Sequence, residues 1–415
     1  MAKIIPFRGI LYNPAKVSGD EVIAPPYDVI TPEYRDVLYN KSPYNIVRVD
    51  FGKELPNDTN GDNKYTRARG FFEHWIKQGI LVQDANPMFY AYEIDYNLYG
   101  KNKTLRGLMS LVKIEELGKG VFPHEATHAK PKADRLNLMR ACLANISPIY
   151  SLYNSPEKIT SSILNNIKDK PYISARDIDG AVHKLYKIQD KLQIDAIIKE
   201  LSDKPIFIAD GHHRYEVALE FFKEMGDGPW EYVLMFLANI SDEGIAILPT
   251  HRLIKGITNA NEILHKLQMD FEIETIKDNI ESEDPENQKI FWGAESGCRF
   301  GLYIGKERQW YILKYRGTDL KDIEPALKNL DVVVLHELIL KRDLGITNVT
   351  YEMDVKEAIK RTDDGEFDAA FFLRPTSVDD VERVALSGLR MPPKSTYFYP
   401  KLLTGMVINK FIVNE

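Results

Sequence analysis

One stretch of the 415-residue chain joins a strand pattern to a helix pattern at a glycine: Ile206-Phe-Ile-Ala-Asp-Gly-His-His-Arg-Tyr-Glu-Val-Ala-Leu-Glu-Phe-Phe222. Its first residues are apolar and β-branched, which predicts a short buried strand that ends at Asp210. Gly211 permits a turn, and the apolar residues after Arg214 recur at helical spacing. The stretch therefore predicts a strand, a turn and a helix that begins at the two histidines.

The charged residues at the start of this helix indicate an anion-binding site. Free backbone N–H groups at a helix start favour an anion, whereas cations there oppose the helix dipole unless an anion is bound. Arg214 can clamp a phosphate with two hydrogen bonds, and Gly211 lets the backbone approach it. With His212 and His213 beside them, these residues predict a phosphate or polyphosphate ligand. The alternative is that the side chains cap the helix and pair with surface acids.

The composition excludes several classes of protein. Hydrophobic residues make up 44% and aromatic residues 11% of the sequence, which excludes a disordered chain and predicts two or three globular domains. The net charge of -7 argues against a nonspecific nucleic-acid binder. No apolar run is long enough to suggest a membrane span, and no signal region is visible. Cys142 and Cys298 are too few for a disulfide framework, so we expect a cytoplasmic protein.

Strand and helix patterns alternate along the chain, which predicts a mixed α/β fold with a partly antiparallel sheet. Hairpins are predicted around Gly100 and around 177–180, and a third between 230–240 and 244–249. Further elements are predicted from periodicity, with helices at 60–78, 132–145, 155–167, 190–201 and 323–342, and strands at 299–304 and 309–315.

A change of pattern after Gly256 divides the chain. We expect a first lobe over 1–256, a second α/β lobe over 257–390, and a tail over 391–415 that folds back towards the first lobe. The polar stretch 278–287 is the best candidate for a loop.

Six strings spread along the chain carry a resemblance to a known family: Ala24-Pro-Pro-Tyr-Asp-Val-Ile, Asp134-Arg-Leu-Asn-Leu, Asn145-Ile-Ser-Pro-Ile-Tyr, Ala209-Asp-Gly-His-His-Arg-Tyr-Glu, Pro249-Thr-His-Arg and Arg390-Met-Pro-Pro-Lys-Ser-Thr-Tyr-Phe-Tyr-Pro-Lys. They are similar to the family filed as domain of unknown function 1015. The resemblance covers nearly the whole chain.

The Asp-Gly-His-His-Arg string also resembles the phosphate-binding turn of the ParB and sulfiredoxin superfamily, which includes ADP-dependent free serine kinases. This resemblance implies a ParB/sulfiredoxin-like first lobe that binds ATP or ADP with Mg²⁺. It implies that His212 and Arg214 contact the nucleotide phosphates and that Asp210 lies beside the transferred group. Serine or phosphoserine is the substrate that it favours.

A literal zinc-protease pattern occurs at His124-Glu-Ala-Thr-His128, where two imidazoles one helical turn apart would bind the metal. Prolines at 123 and 131 argue against the helix that this site needs, and no third ligand is evident. We therefore expect no metal site built from protein side chains here.

A different interpretation makes 122–132 a loop that brings His124, Glu125 and Lys130 to an anionic substrate, ahead of a helix that carries Arg135. In phosphoryl transfer a carboxylate can accept the hydroxyl proton, while cations and Mg²⁺ neutralise the phosphate oxygens. Glu125 is the predicted base. The alternative is a solvated charged loop.

Three further residues are weaker candidates for substrate binding. Asp28 lies in a proline-rich turn, where it offers a second carboxylate or bonds its own backbone. His251 and Arg252 follow a predicted strand and form either a cationic pair near the site or a surface pair.

Donors suited to phosphate recognition also lie near the end of the chain. Lys394, Ser395 and Thr396 are assigned to cofactor binding because the closing string resembles the family, whereas composition alone predicts an ordinary tail.

The sequence supports three hypotheses about function. The first is a nucleotide-dependent phosphotransferase that acts on a small hydroxyl metabolite or its phosphate ester. The second is a nucleotide-binding conformational switch without metabolite chemistry, and the third is a zinc-dependent hydrolase. The expected partners are a nucleotide and a small molecule, not nucleic acid or a membrane, and the choice between a monomer and a homodimer stays open.

Overall fold

The computed structural model describes residues 3–127, 129–257, 260–276, 297–317, 320 and 323–412. The predicted loop 278–287 and His128 lie outside the described residues, as does the side chain of Lys130. Within the described ranges no helix is both long and apolar enough to cross a membrane.

Short strands and helices follow one another along the chain. The strands are β1 (Ile4–Ile5), β2 (Ile10–Tyr12), β3 (Leu81–Gln83), β4 (Phe89–Leu98), β5 (Lys101–Lys113), β6 (Val121–Phe122), β7 (Ala144–Asn145), β8 (Ile149–Tyr153), β9 (Ile173–Arg176), β10 (Val182–Ile188), β11 (Ile206–Asp210), β12 (Tyr232–Asn239), β13 (Ala246–Leu248), β14 (His251–Ile254), β15 (Phe271–Ile276), β16 (Arg299–Ile304), β17 (Gln309–Tyr315), β18 (Thr350–Glu352), β19 (Ala369–Phe372), β20 (Tyr397–Tyr399) and β21 (Asn409–Lys410).

The helices are α1 (Gly19–Val22), α2 (Pro32–Lys41), α3 (Val47–Asp50), α4 (Lys64–Lys77), α5 (Ala129–Cys142), α6 (Ile159–Asn165), α7 (Lys191–Leu201), α8 (His212–Met225), α9 (Ala260–Leu267), α10 (Asp331–Val333), α11 (Val355–Asp363) and α12 (Val378–Leu386). Helix α10 continues as a π-helix over Val334–Asp343. Short 3₁₀ turns lie at Tyr27–Val29 and Pro229–Glu231.

The chain forms two compact units. The first unit contains Met1–Pro123, Thr127–Ala246 and Pro400–Glu415, and the second contains His124–Ala126 and Ile247–Tyr399.

The first unit is built on a mixed nine-stranded sheet in the order β6-β11-β8-β12-β5-β4-β10-β9, with β1 also paired to β5. Strand β11 runs parallel to β6, β12 runs parallel to β8, and the other pairs are antiparallel. The hairpins predicted around Gly100 and around 177–180 are confirmed as β4–β5 and β9–β10. The mixed α/β class is likewise confirmed.

The third predicted hairpin is wrong. Strand β12 is enclosed between β5 and β8, so neither of its edges is free to pair with the strand that follows it. Strand β13 pairs instead with β20, in a separate two-stranded sheet.

The predicted strand, turn and helix are confirmed as β11, Gly211 and α8. Tyr215, Ala218 and Phe221 of α8 are buried in the core of the first unit. Phe411 belongs to the same core, where its ring stacks on Phe221 at 6.0 Å between centroids. The end of the chain therefore stabilises the helix that begins at the histidines.

Helix α5 begins at Ala129, three residues before the predicted start. Pro131 is compatible with this position, because the first turn of a helix has no intrahelical partner for its N–H groups. Lys130 and Lys132 are consequently helical residues and not part of a loop.

The second unit contains a six-stranded antiparallel sheet in the order β15-β17-β16-β19-β14-β18. The two strands predicted at 299–304 and 309–315 are confirmed with the same bounds. The helix predicted over 323–342 begins only at Asp331, and most of it is π-helical.

Candidate functional site

The turn between β11 and α8 is built on a glycine. Gly211 has a φ of 93° in the left-handed region, and as the N-cap residue of α8 it has no side chain that could cap the helix. A Cβ at Gly211 would lie 2.9 Å from the guanidinium of Arg214, so the glycine makes room for this side chain. The sequence analysis predicted that Gly211 lets a phosphate approach the backbone. In the structure the group that lies closest to this position is the guanidinium of Arg214, in the same turn.

The acidic residue of the turn is held by a cation from the end of the chain. Asp210 accepts hydrogen bonds from the Gly211 N–H at 2.8 Å and from Lys401 Nζ at 2.9 Å. Both Asp210 and Lys401 are largely buried. Lys401 thus brings a further positive charge to the turn, a role that the sequence analysis did not predict because the two residues are 191 positions apart.

The three side chains after the glycine differ in burial. His212 is buried, whereas His213 and Arg214 are partly exposed. The guanidinium of Arg214 donates a hydrogen bond to the carbonyl of Pro148. Arg214 also lines a cavity in the first unit.

The cavity beside Arg214 has a volume of about 40 Å³ and its polar lining includes Asp50, Arg135 and Ser147. Arg135 is buried and donates hydrogen bonds to Asp50 at 3.0 Å and to Asp134 at 2.6 Å. Arg135 and Arg214, two residues that the sequence analysis assigned to the site, therefore line the same cavity. Asp50 is a component that the sequence analysis missed, because nothing in its local sequence marks it.

Charged neighbours control the ionisation of the acids around Arg135. Burial raises the pKa of Asp50, although Arg135 and Arg214 act in the opposite direction. Burial also opposes ionisation of Asp134, but Arg135 and Lys64 outweigh it and hold the pKa at about 2. Asp134 is therefore anionic at neutral pH and anchors the guanidinium of Arg135.

Asp28 lies next to this cluster without entering it. The Arg135 guanidinium lies 4.0 Å from the centroid of the Tyr27 ring. Burial, followed by the charge of Asp28, raises the pKa of the Tyr27 phenol to about 12. Asp28 itself is exposed on the 3₁₀ turn Tyr27–Val29, so the structure places it at the surface.

The second unit assembles another set of the predicted residues. His124 Nε2 lies 2.9 Å from Thr396 Oγ1. Glu125 Oε1 accepts the backbone N–H of Lys394 at 2.9 Å, and the Glu125 carbonyl accepts a hydrogen bond from Arg390 at 3.1 Å. Glu125 is thus held in place by the closing string of the family resemblance.

The loop around Lys394 is itself strained and braced. Lys394 has a φ of 58°, which is left-handed and unusual for a residue other than glycine. The Ser395 hydroxyl donates to the carbonyl of Pro392 at 2.5 Å, and the Ser395 carbonyl accepts from Thr376. Ser395 is therefore occupied with fixing the loop.

His251 and Arg252 do not form the surface pair that we considered for them, because both are buried on β14. Arg252 donates to the carbonyls of Thr250 and Lys394 and to His336 Nε2. Burial, with the charge of Arg252, lowers the pKa of His251 to about 3. The prediction of a surface pair is wrong, and the assignment to substrate binding stays a prediction.

The zinc pattern is not helical where the structure describes it. Residues 124–127 form a non-helical segment, and His128 lies outside the described residues. Among the side chains that the structure describes, no group of three His, Cys, Asp or Glu residues could hold a metal ion.

Three solved structures are similar to the chain. A conserved hypothetical protein from Pyrococcus furiosus is 14% identical, with a TM-score of 0.35, over 70% of this chain and 90% of that chain. A free serine kinase in complex with AMP is 13% identical, with a TM-score of 0.37, over 71% and 94%. SbnI with C-terminal truncation from Staphylococcus aureus is 12% identical, with a TM-score of 0.37, over 71% and 85%. At these identities and TM-scores, none of the three similarities carries an argument about function.

A comparison with curated proteins finds no match. The family described as "Protein of unknown function (DUF1015)" matches residues 4–333, which is most of the sequence. This match confirms the resemblance over the five strings between Ala24 and Arg252, whereas the closing string from Arg390 lies beyond the matched residues. The chain belongs to the DUF1015 family.

Proposed function

We propose that this protein is a nucleotide-dependent phosphotransferase that acts on a small hydroxyl metabolite, or on its phosphate ester in the reverse direction. The nucleotide is ATP or ADP. Serine and phosphoserine are the leading substrates, on the strength of the resemblance of the Asp-Gly-His-His-Arg string alone.

The observation that carries the proposal is the cluster of histidine and arginine side chains at the start of α8. Its backbone N–H groups follow a left-handed Gly211, and His212, His213 and Arg214 occupy its first turn. A helix start with adjacent cationic side chains stabilises a polyphosphate through charge-assisted hydrogen bonds and through the helix dipole. Lys401, held by Asp210 at 2.9 Å, adds a cation at the same turn.

Glu125 is the proposed base for the transfer, an assignment that rests on the sequence alone. The hydroxyl oxygen of the metabolite forms a bond to the terminal phosphorus of the nucleotide, and the bond from this phosphorus to the bridging oxygen breaks. The hydroxyl proton passes to the Glu125 carboxylate. Its hydrogen bond with the Lys394 N–H fixes one carboxylate oxygen and leaves the orientation of the group defined.

Mg²⁺ is expected to bind together with the nucleotide. No cluster of three acidic, histidine or cysteine side chains suited to a metal exists among the described residues, so the phosphates themselves would provide most of its ligands. The metal would neutralise charge on the phosphate oxygens.

Nucleotide binding is the first test. Calorimetry with ADP or ATP and Mg²⁺ should give saturable binding to the wild type. Arg214→Ala should weaken it at least tenfold, because a charge-assisted contact to phosphate is lost. Arg140→Ala is the control, since Arg140 is an exposed arginine of the same unit that pairs with Glu224. Equal affinities for the wild type and Arg214→Ala would refute the phosphate site.

Turnover is the second test. Phosphorus NMR of the protein with nucleotide, Mg²⁺ and either serine or phosphoserine should reveal a transferred phosphoryl group. Glu125→Gln should abolish transfer while nucleotide affinity is retained, and Glu116→Gln, at a surface ion pair with Lys223, should leave both unchanged. Binding without any transfer would instead favour the conformational switch.

A further inference from the structure

A small cavity in the first unit presents polar atoms that the protein itself does not use. Its volume of about 40 Å³ holds about three water molecules, because one water needs about 10–15 Å³. Asp50 and Arg135 in its lining are buried, whereas Ser147 and Arg214 are partly exposed. The cavity therefore opens beside Ser147 and Arg214, and it accommodates the head group of a small molecule but not a nucleotide.

One carboxylate oxygen in the cavity lining has no hydrogen-bond donor. Asp50 is 3% exposed. Its Oδ1 accepts a hydrogen bond from Arg135 at 3.0 Å, whereas its buried Oδ2 accepts none. A buried acceptor without a partner destabilises the protein, and a charged acceptor does so more than a neutral one. An occupant that donates a hydrogen bond to Oδ2 would remove this cost.

The charges around the cavity are unevenly compensated. Arg135 divides its positive charge between Asp50 and Asp134. Arg214 makes no ion pair with a carboxylate in the part of the chain that the structure describes. The inner end of the cavity thus favours a positively charged donor, and the opening favours an anionic group.

From the free Asp50 oxygen and the unpaired Arg214 we infer that this cavity binds a small molecule that carries an ammonium group next to an anionic group. The ammonium donates to Asp50 Oδ2, and the anionic group pairs with Arg214. Asp50 is then the residue that selects substrates with an amino group over otherwise identical compounds without one. The inference deepens the proposed function and rests on it for the reaction, since Arg214 belongs to both the cavity and the phosphate-binding turn.

Calorimetry on the full chain without nucleotide tests the site with three probes. L-serine carries both groups, L-glycerate replaces the ammonium by a hydroxyl group, and ethanolamine lacks the carboxylate. Serine should bind at least tenfold more tightly than either of the other two. Asp50→Asn, which keeps the shape but not the charge, should weaken serine binding at least tenfold and leave glycerate binding unchanged. Ser147→Val, which narrows the opening and removes the hydroxyl group beside Asp50, should also weaken serine binding.

The outcomes separate this site from the proposed reaction. Equal binding of serine and glycerate, an unchanged affinity in Asp50→Asn, or no binding of any probe to the wild type would each overturn the inference. If Asp50→Asn does not fold, the comparison of serine with glycerate and the Ser147→Val variant decide it. Serine binding without any phosphoryl transfer would keep the site and remove the proposed function. If phosphoryl transfer to serine is unchanged in Asp50→Asn, the proposed function stands and the inferred site at Asp50 is wrong.

Discussion

The dipeptide His-Arg occurs twice among the predicted site residues, and the two copies have different environments. His213 and Arg214 lie on the first turn of α8, where both side chains are partly exposed. His251 and Arg252 lie on β14, where each is only 1% exposed. The sequence analysis considered both pairs as cations for a ligand, with a structural alternative for each.

The difference follows from what the backbone does at each place. At the start of α8 the first N–H groups have no intrahelical partner, so side chains and backbone together favour a ligand. Strand β14 is enclosed between β18 and β19, and its backbone is paired on both sides. Arg252 there bonds two carbonyl groups and His336. Two cationic residues at a helix start are therefore better evidence for a binding site than the same two residues on a strand that is paired on both sides.

The largest difference between the two regions is expected when Arg252 and Arg214 are each replaced by alanine, because Arg252 has a structural role and Arg214 a binding role. Arg252→Ala should lower the free energy of unfolding by about 3–5 kcal/mol, because it leaves buried acceptors without a donor and a cavity behind. Arg214→Ala should lower it by only about 1 kcal/mol, since its side chain is partly exposed. Urea unfolding followed by circular dichroism measures both. Similar losses in the two variants would contradict the distinction.

The buried histidines should make the second unit sensitive to acid. Burial, followed by the charge of Arg252, lowers the pKa values of His251 and His336 to about 3 each. The unfolded chain takes up protons below about pH 6.5 while the folded chain does not, so stability falls as the pH drops from about 6.5 towards 3. Each histidine should cost about 2 kcal/mol at pH 5, which is 1.5 pH units at about 1.4 kcal/mol each.

His251→Gln tests this assignment, because glutamine keeps a polar side chain but does not titrate. The loss of stability between pH 7.5 and pH 5, measured by urea unfolding, should be smaller in the variant by about 2 kcal/mol. A loss equal to that of the wild type would mean that His251 is not held in its neutral form.

Local patterns predicted the elements that local interactions define. The strands at 299–304 and 309–315, the hairpin at Gly100 and the start of α8 at His212 each depend on neighbours in sequence. The pairing of β13 with β20 could not be predicted in this way, because it depends on strands far away along the chain having already taken both edges of β12. The π-helix after Asp331 likewise shows no distinct periodicity in the sequence.

The same limit applies to the candidate site. The turn from Asp210 to Arg214 is contiguous, so its pattern was visible. Asp50 lies 85 positions from Arg135, its ion-pair partner, and its free oxygen becomes evident only in three dimensions. Lys401 was visible as a donor in the closing string, but not as the partner of Asp210.

The glycine of the turn provides a test of how Arg214 is positioned. Gly211→Ala should cost about 1–2 kcal/mol, because its φ of 93° is unfavourable for a residue with a Cβ. It should also weaken nucleotide binding, since the new Cβ would displace the Arg214 guanidinium. Gly70→Ala in α4 is the matched control, because nothing lies within 4 Å of a Cβ there and alanine favours a helix. Reduced nucleotide affinity in both variants would argue against a local effect at the turn.

The smallest effect on stability is expected at Lys394, where two substitutions distinguish the effect of backbone strain from that of the side-chain charge. Its left-handed φ of 58° costs about 1 kcal/mol, and glycine would remove this cost at a similar entropic penalty. Lys394→Ala keeps the strain and removes the ammonium group, whereas Lys394→Gly removes both. The glycine variant should therefore be equal to or up to about 1 kcal/mol more stable than the alanine variant, as measured by thermal unfolding.

If the backbone N–H alone positions Glu125, both variants should also retain phosphoryl transfer. Loss of transfer in both at unchanged stability would show instead that the Lys394 ammonium group takes part in binding.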